Sequence, residues 1–98
     1  MAITVDPQER ELRALERVGR WRGRHILEIG CGDGRLTLRL ARLGARVLAI
    51  DPDAGQVRAA RAALPRRYAA RIQYRVGSGE RLPYHAREFD AVVFAWAL

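Results

Sequence analysis

The chain has 98 residues, of which 49% are hydrophobic, and this length gives room for one small domain. It carries 18 arginines and no lysine against 11 acidic residues, for a formal net charge of +7. The sequence shows neither a signal-peptide pattern nor an apolar run near the ~20 residues that cross a bilayer. These features predict a soluble, cytoplasmic protein with no membrane segment.

The arginines are spread along the whole chain rather than gathered in one stripe. They do not alternate with aromatic residues in the way that is typical of single-strand-binding proteins. We therefore expect most of these arginines to be solvent-exposed charges on helix faces. Attraction to nucleic acid or another polyanion stays an open alternative.

Cys31 is the single cysteine, so an internal disulfide is excluded. One cysteine together with His25 and His85 makes a poor set of zinc ligands. We expect no metal site. Cys31 lies between two glycines, where a small side chain is tolerated, and a reactive thiol is the alternative.

Residues 1–24 predict an N-terminal helix and a lead-in to the main domain. Asp6 can cap this helix, Pro7 suits its first position, and Glu9 stands at the capping-box position. Glycines end the segment around Trp21, which we expect to pack as a hydrophobic side chain.

Residues 25–98 predict four strands that alternate with helices, and no linker divides them. The strands are expected at 26–29, 46–51, 72–76 and 91–96. Helices follow the first two strands, and Asp53 caps the second helix. Residues 77–87 are rich in turn formers and predict a loop or one helical turn. This alternation favours right-handed crossovers and a parallel sheet, which is an α/β fold.

The first predicted strand runs into three glycines at alternate positions, Gly30, Gly32 and Gly34, and a helix-like pattern follows. Glycines let a ligand approach the main chain closely, and a helix start offers free N–H groups. The dinucleotide fingerprint needs a glycine where Arg35 stands. An NAD-binding domain is therefore the disfavoured alternative.

Two acidic residues flank this turn in the predicted fold. Glu28 lies inside an apolar strand, where an ionised group is costly unless it has a partner. A ligand ammonium, loop N–H groups or an arginine could supply that partner. Asp51 ends the second strand about 20 residues beyond the turn, where a carboxylate can accept both ribose hydroxyls.

The pattern Glu28-x-Gly30-x-Gly32-x-Gly34 resembles the first motif of the class I S-adenosylmethionine-dependent methyltransferases, of the small-molecule or ubiquinone and menaquinone biosynthesis type. The resemblance runs from about residue 25 to residue 98. It implies a Rossmann-like three-layer αβα fold with strand order 3-2-1-4, truncated relative to the full seven-stranded fold. It also implies S-adenosylmethionine as cofactor and S-adenosylhomocysteine as product. The implied cofactor-binding residues are Glu28, Gly30, Cys31, Gly32, Gly34, Asp51, Pro52, Ser78, Gly79, Phe94 and Ala95.

Two further segments resemble family motifs. Residues 77–84 are similar to the stretch G-D-A-E-x-L-P-F, whose aspartate binds the adenine amino group. Ser78 stands at that position, so only an uncharged hydroxyl can accept, while Gly79 can offer its N–H to a ring nitrogen. Phe94 and Ala95 match the strand that lies beside the methionine end of the ligand. No catalytic residue is assigned.

Family members continue beyond the cofactor half, residues 25–98, with parts that hold the methyl acceptor. The fourth predicted strand would then expose an apolar edge, and such edges pair with other strands. We therefore expect a homodimer, formed through that edge or by exchange of elements. The function that follows is a methyltransferase domain completed by oligomerisation or by a partner, with an unknown acceptor. The alternative is a non-catalytic module that binds S-adenosylmethionine or S-adenosylhomocysteine.

Overall fold

The computed structural model describes residues 21–79 and 88–95, together with the backbone of residues 2–5. Its strands are β1 (Ala2–Val5), β2 (His25–Ile29), β3 (Arg46–Asp51), β4 (Ile72–Val76) and β5 (Ala91–Ala95). Its helices are α1 (Arg35–Arg42) and α2 (Ala54–Ala63), and a 3-10 turn spans Arg66–Tyr68. The predicted N-terminal helix and most of the loop predicted at 77–87 lie outside the described residues.

The five described strands form one parallel sheet in the order β1-β5-β2-β3-β4. The four predicted strands are β2, β3, β4 and β5, so the predicted order 3-2-1-4 is confirmed. The chain moves outward from β2 through β3 to β4 and then returns to the other side of β2. Open α/β sheets bind ligands at such a change of direction, beyond the carboxyl ends of the strands.

Local chemistry explains where α1 ends and where α2 begins. In α1, Leu36, Leu40 and Ala41 are buried on one side, and Gly44 follows the helix with a φ of 98°. This left-handed conformation is open to glycine and stops the helix. In α2, the Asp53 carboxylate accepts hydrogen bonds from the N–H groups at positions 55 and 56, which confirms the predicted cap.

The larger hydrophobic cluster fills the space between one face of the sheet and the helices α1 and α2. Trp21, only 6% exposed, belongs to it, which confirms its predicted packing role. The other face carries a smaller buried cluster built on Leu27, Leu48, Ile50 and Phe89. Both described helices pack on the first face, so the second helical layer of the predicted three-layer fold stays a prediction.

The strand β1 was not expected, and it corrects the prediction of an exposed fourth-strand edge. β1 pairs in parallel with β5, in a register that runs from Ala2 opposite Val92 to Val5 opposite Ala95. Hydrogen bonds from β1 therefore occupy the edge that was to drive pairing between two chains. The edge premise is wrong because a four-residue strand is too short to stand out beside the helical signal that follows it. The homodimer itself stays a prediction.

Candidate functional site

A sharp bend joins β2 to α1 at the carboxyl edge of the sheet. Gly30, Gly32 and Gly34 have φ values of 82°, 54° and 90°, in the left-handed region that side chains disfavour. The N–H groups of Gly30 and Cys31 donate to the Ile50 carbonyl oxygen at 2.8 and 3.1 Å. These bonds anchor the bend on the end of β3.

The Asp51 carboxylate lies directly against this bend. Its Oδ2 accepts a hydrogen bond from the Gly32 N–H at 2.9 Å, and its Oδ1 accepts one from the Asp53 N–H at 2.8 Å. A carboxylate has about four lone-pair positions. The two bonds leave acceptor capacity for a pair of hydroxyl donors, in the place where the sequence predicts the ribose.

The three glycines meet different surroundings. A Cβ on Gly34 would lie 2.5 Å from the Tyr74 hydroxyl oxygen, and one on Gly30 would lie 3.1 Å from the Ala95 carbonyl oxygen. A Cβ on Gly32 would have no described atom within 4 Å. Packing therefore requires glycine at positions 30 and 34, whereas Gly32 borders open space. Among the described residues, this space at Gly32 lies beside the Asp51 carboxylate, where a ligand can approach the main chain.

The remaining predicted ligand residues meet at the same edge. The Gly77 N–H donates to the Asp51 carbonyl oxygen at 3.0 Å, so the segment with Ser78 begins beside β3. A Cβ on Gly79 would lie 2.9 Å from Ile29 Cγ2, so the segment also contacts the end of β2. Pro52 is exposed directly after Asp51.

On the other side of β2, the end of β5 borders the bend. The Ala95 carbonyl oxygen limits the space at Gly30, and Phe94 is 40% exposed at the end of the same strand. β5 and the bend therefore meet at the point where the strand order changes direction. The structure brings both predicted β5 residues to the carboxyl edge.

Glu28 is completely buried beneath the bend rather than on its open side. Its Oε1 accepts a hydrogen bond from the Thr37 hydroxyl, and its Oε2 has no hydrogen-bond partner among the described residues. No described arginine pairs with it. Burial raises the pKa of Glu28 to about 7; the Thr37 hydrogen bond opposes the rise and the Asp51 charge adds to it.

Sequence reasoning missed Thr37, the residue that contacts Glu28. Thr37 is 0% exposed on α1 and lies three and four positions before the buried Leu40 and Ala41. A hydroxyl on the inward face of an otherwise apolar helix was the available signal. Tyr74 also hydrogen-bonds with Thr37, so Glu28, Thr37 and Tyr74 form one buried polar group. Burial raises the pKa of the Tyr74 hydroxyl to about 12, and the hydrogen bond with Thr37 opposes the rise.

The Cys31 side chain also lies in the core, with 6% of its surface exposed. Burial raises the pKa of its thiol to about 12, and the charges of Glu28 and Asp51 add to the effect. The thiol is therefore protonated at neutral pH, which disfavours the reactive-thiol alternative. Its N–H is already engaged by the Ile50 carbonyl oxygen.

No cluster of three or more histidine, cysteine, aspartate or glutamate side chains among the described residues is arranged to hold a metal ion. No helix in that part of the chain has the length and apolar character needed to traverse a bilayer.

The parallel sheet, the glycine bend and the acidic end of β3 define a Rossmann-like nucleotide-ligand fold. A family model described as "Methyltransferase domain" matches residues 26–98. The chain therefore belongs to this family, the class I S-adenosylmethionine-dependent methyltransferases. S-adenosylmethionine is the cofactor of these enzymes, in agreement with the sequence prediction.

Individual relatives agree with this assignment. The ubiquinone biosynthesis O-methyltransferase of Azorhizobium caulinodans is 38% identical over 84 residues, which are 86% of this chain and 30% of that protein. The S-adenosylmethionine dependent methyltransferase of Mesorhizobium loti gives a TM-score of 0.74 at 27% identity, over 90% of this chain and 39% of that one. The structure of phosphoethanolamine N-methyltransferase 1 of Haemonchus contortus, in complex with phosphoethanolamine and S-adenosylhomocysteine, gives a TM-score of 0.71 at 26% identity. The match covers 90% of this chain and 18% of that one.

The shared region is a part of each relative. The chain spans between about a fifth and a third of the length of the curated relatives it matches.

The different surroundings of Gly34 and Gly32 predict that alanine at these positions lowers the free energy of unfolding by different amounts. Gly34→Ala should lower the free energy of unfolding by about 3 kcal/mol, because a left-handed φ and a clash with Tyr74 act together. Gly32→Ala is the matched control and should cost about 1 kcal/mol, since only its φ is unfavourable. Urea denaturation of both variants measures the difference, and equal losses would contradict the packing argument.

The buried Glu28 carboxyl predicts a loss of stability as the pH rises. Its pKa in the folded chain, about 7, lies above the ordinary 4.5, so the folded state holds the proton more tightly than the unfolded state. The contribution of the protonated Glu28 carboxyl to the free energy of unfolding is complete below pH 4.5 and is lost as the pH rises to about 7. The whole change corresponds to about 3 kcal/mol.

Glu28→Gln should remove this pH dependence, whereas Glu88→Gln, at an exposed acid, should keep it. Denaturation curves between pH 4 and 8 measure the effect. A Glu28→Gln curve with the same slope as the wild-type curve would exclude a raised pKa at this position.

Proposed function

We propose that this chain binds S-adenosylmethionine at the carboxyl edge of the sheet and supplies the donor-binding part of a methyltransferase. The observation that carries the proposal is the Asp51 carboxylate, hydrogen-bonded to the Gly32 N–H beside open space. A carboxylate at this position can accept the ribose hydroxyls, while the glycine backbone lets the rest of the ligand approach.

The hydrogen bonds of the bend favour a sulfonium ligand over a dinucleotide. A pyrophosphate needs free N–H groups, yet those of Gly30 and Cys31 donate to Ile50 and that of Gly32 donates to Asp51. The Gly34 N–H is also engaged, by the Cys31 carbonyl oxygen. A ligand without phosphates does not need these donors.

The charges at this edge support the same choice. Asp51 and Asp53 lie at or just beyond the end of β3, while Asp33, which follows β2, is paired with Arg35 at 3.1 Å. Carboxylates attract a cationic sulfonium and repel a pyrophosphate. The field of the edge thus complements S-adenosylmethionine, the cofactor of the family.

The chain's own residues position the ligand rather than perform acid–base chemistry. S-adenosylmethionine supplies an activated methyl group, and the protein supplies alignment and exclusion of water. Asp51 would hold the ribose, Ser78 and Gly79 would border the adenine, and Phe94 and Ala95 would border the methionine end. These five residues lie at the carboxyl ends of three strands, β3, β4 and β5, at one edge of the sheet.

The proposal defines the methyl acceptor less narrowly than the methyl donor. The Azorhizobium caulinodans relative is described as an O-methyltransferase, which supports a hydroxyl oxygen as the first acceptor to test. We propose that a second copy of the chain or a partner chain completes the acceptor side. A non-catalytic module that only binds the cofactor is the alternative.

Calorimetric titration tests the ligand. S-adenosylhomocysteine should bind the wild-type chain and NAD should not. Asp51→Asn should weaken S-adenosylhomocysteine binding by about tenfold or more, since hydrogen bonds to a charged group are lost. Asp33→Asn removes the same charge at the same edge, but its carboxylate is turned to Arg35 at 3.1 Å. This control should change the affinity by about twofold at most.

Two results would overturn the proposed ligand. One is NAD binding in place of S-adenosylhomocysteine, and the other is an Asp51→Asn variant that binds as the wild type does. Circular dichroism of each variant shows whether the fold persists. Release of S-adenosylhomocysteine that depends on an added hydroxyl-bearing acceptor would then distinguish an enzyme from a binding module.

The oligomeric state provides a separate prediction. If a second copy completes the site, light scattering should give twice the mass of an 11.1 kDa chain, and S-adenosylhomocysteine should strengthen the dimer. A chain that stays monomeric at high concentration, with and without the ligand, would leave only a different partner chain for that role.

A further inference from the structure

β4 forms an outer edge of the described sheet, because it pairs with β3 and with no other described strand. The Val47 N–H donates to the Arg71 carbonyl oxygen at 2.7 Å, just before β4 begins. The Gly77 N–H donates to the Asp51 carbonyl oxygen at 3.0 Å, just after β4 ends. These two bonds fix which backbone groups of β4 face β3.

The backbone groups of β4 that face away from β3 follow from this register. Successive peptide groups of an extended strand point in opposite directions, so the odd-numbered residues of β4 bond to β3 and the even-numbered residues do not. The outward N–H and carbonyl groups are therefore those of Ile72, Tyr74 and Val76. A row of unpaired backbone groups on an outer strand is a template for a strand from another chain.

Arg61 of α2 occupies the middle of this outward row. Its Nη2 donates to the Tyr74 carbonyl oxygen at 2.7 Å, and its Nε donates to the same oxygen at 3.2 Å. Two N–H groups of one charged guanidinium therefore share a single acceptor, and charged donors form stronger hydrogen bonds than neutral ones. The burial of Val57 and Ala60 holds α2 against the sheet, with Arg61 beside the outer strand.

A second copy of the chain would compete with Arg61 for this oxygen. If two β4 strands paired antiparallel around a two-fold axis, with Tyr74 opposite Tyr74, the Arg61 bonds of both copies would have to break. The same approach would bring two guanidinium groups together, in chains that each carry a net charge of +7. Arg75, which is exposed on β4, adds further positive charge to the strand.

We propose that Arg61 closes the edge of β4 to strand pairing with a second copy of this chain, by holding the Tyr74 carbonyl oxygen. Charged side chains on an outer strand are a common protection against such pairing. Of the two outer strands of the described sheet, β1 and β4, this leaves β1 as the one through which two sheets could join. A second copy that completes the acceptor side therefore approaches by a surface other than the edge of β4.

Substitution of Arg61 tests the proposal. Arg61→Met removes the guanidinium and keeps an unbranched side chain of similar helix propensity. The association constant for pairing through β4 should rise about a hundredfold, because two charged hydrogen bonds, each worth about tenfold, no longer oppose it. Arg58→Met is the matched control, since it removes an exposed arginine one turn earlier on α2, and it should change the constant by about threefold at most. Sedimentation velocity over a range of concentrations compares both variants with the wild type.

Amide hydrogen exchange, followed by NMR, shows whether the association uses β4. In Arg61→Met, the three outward N–H groups of β4 should become protected as the concentration rises. In the wild type they should exchange quickly at every concentration, even if the chain dimerises through another surface. The inward N–H groups of Gln73 and Arg75 bond to β3 and should exchange slowly in both chains.

Equal association of Arg61→Met and Arg58→Met would overturn the proposal, because it would show an effect of net charge alone. Outward N–H groups that stay unprotected in Arg61→Met, or that are already protected in the wild type, would overturn it as well. Arg61→Lys keeps the charge but offers the carbonyl a single donor, and its association constant should lie between those of the wild type and Arg61→Met. Circular dichroism checks the fold of each variant, and none of these results depends on S-adenosylhomocysteine binding.

Discussion

The hydrogen bond between the Gly32 N–H and the Asp51 carboxylate is the constraint on which the candidate site depends. It joins the bend after β2 to the end of β3, and the bonds to the Ile50 carbonyl oxygen reinforce the junction. The N–H groups of Gly30, Cys31, Gly32 and Gly34 already donate hydrogen bonds within the protein. The bend therefore offers a ligand space to approach the main chain rather than hydrogen-bond donors. Such a bend suits a ligand without phosphates better than one that carries a pyrophosphate.

Carboxylates are more frequent at one edge of the sheet and arginines at the other, although Arg35 pairs with Asp33 at the first edge and Asp90 pairs with Arg24 at the second. Asp33, Asp51 and Asp53 gather at the carboxyl ends of β2 and β3, whereas Arg46 and Arg71 stand at the amino ends of β3 and β4. A parallel sheet produces this separation because all of its strands start at one edge and end at the other.

Burial of the Glu28 carboxyl beneath the bend carries a desolvation cost. Glu28 has one oxygen bonded to Thr37 and one without a described partner, and an apolar residue would avoid that cost. The group sits between the bend and the first turn of α1, next to the Tyr74 hydroxyl that limits Gly34. Its location ties the conformation of the bend to a side chain that titrates near neutral pH.

Much of this protein follows from the sequence alone. Alternating apolar and helical patterns determined the strands from β2 to β5, the helix cap at Asp53 and the glycine bend, since each depends on neighbours within a few positions. The tertiary structure alone decided that β1 covers the edge of β5, that Thr37 contacts Glu28, and that Arg61 holds the Tyr74 carbonyl oxygen. Each of these depends on which distant segments become neighbours in the sheet, and no local pattern encodes that.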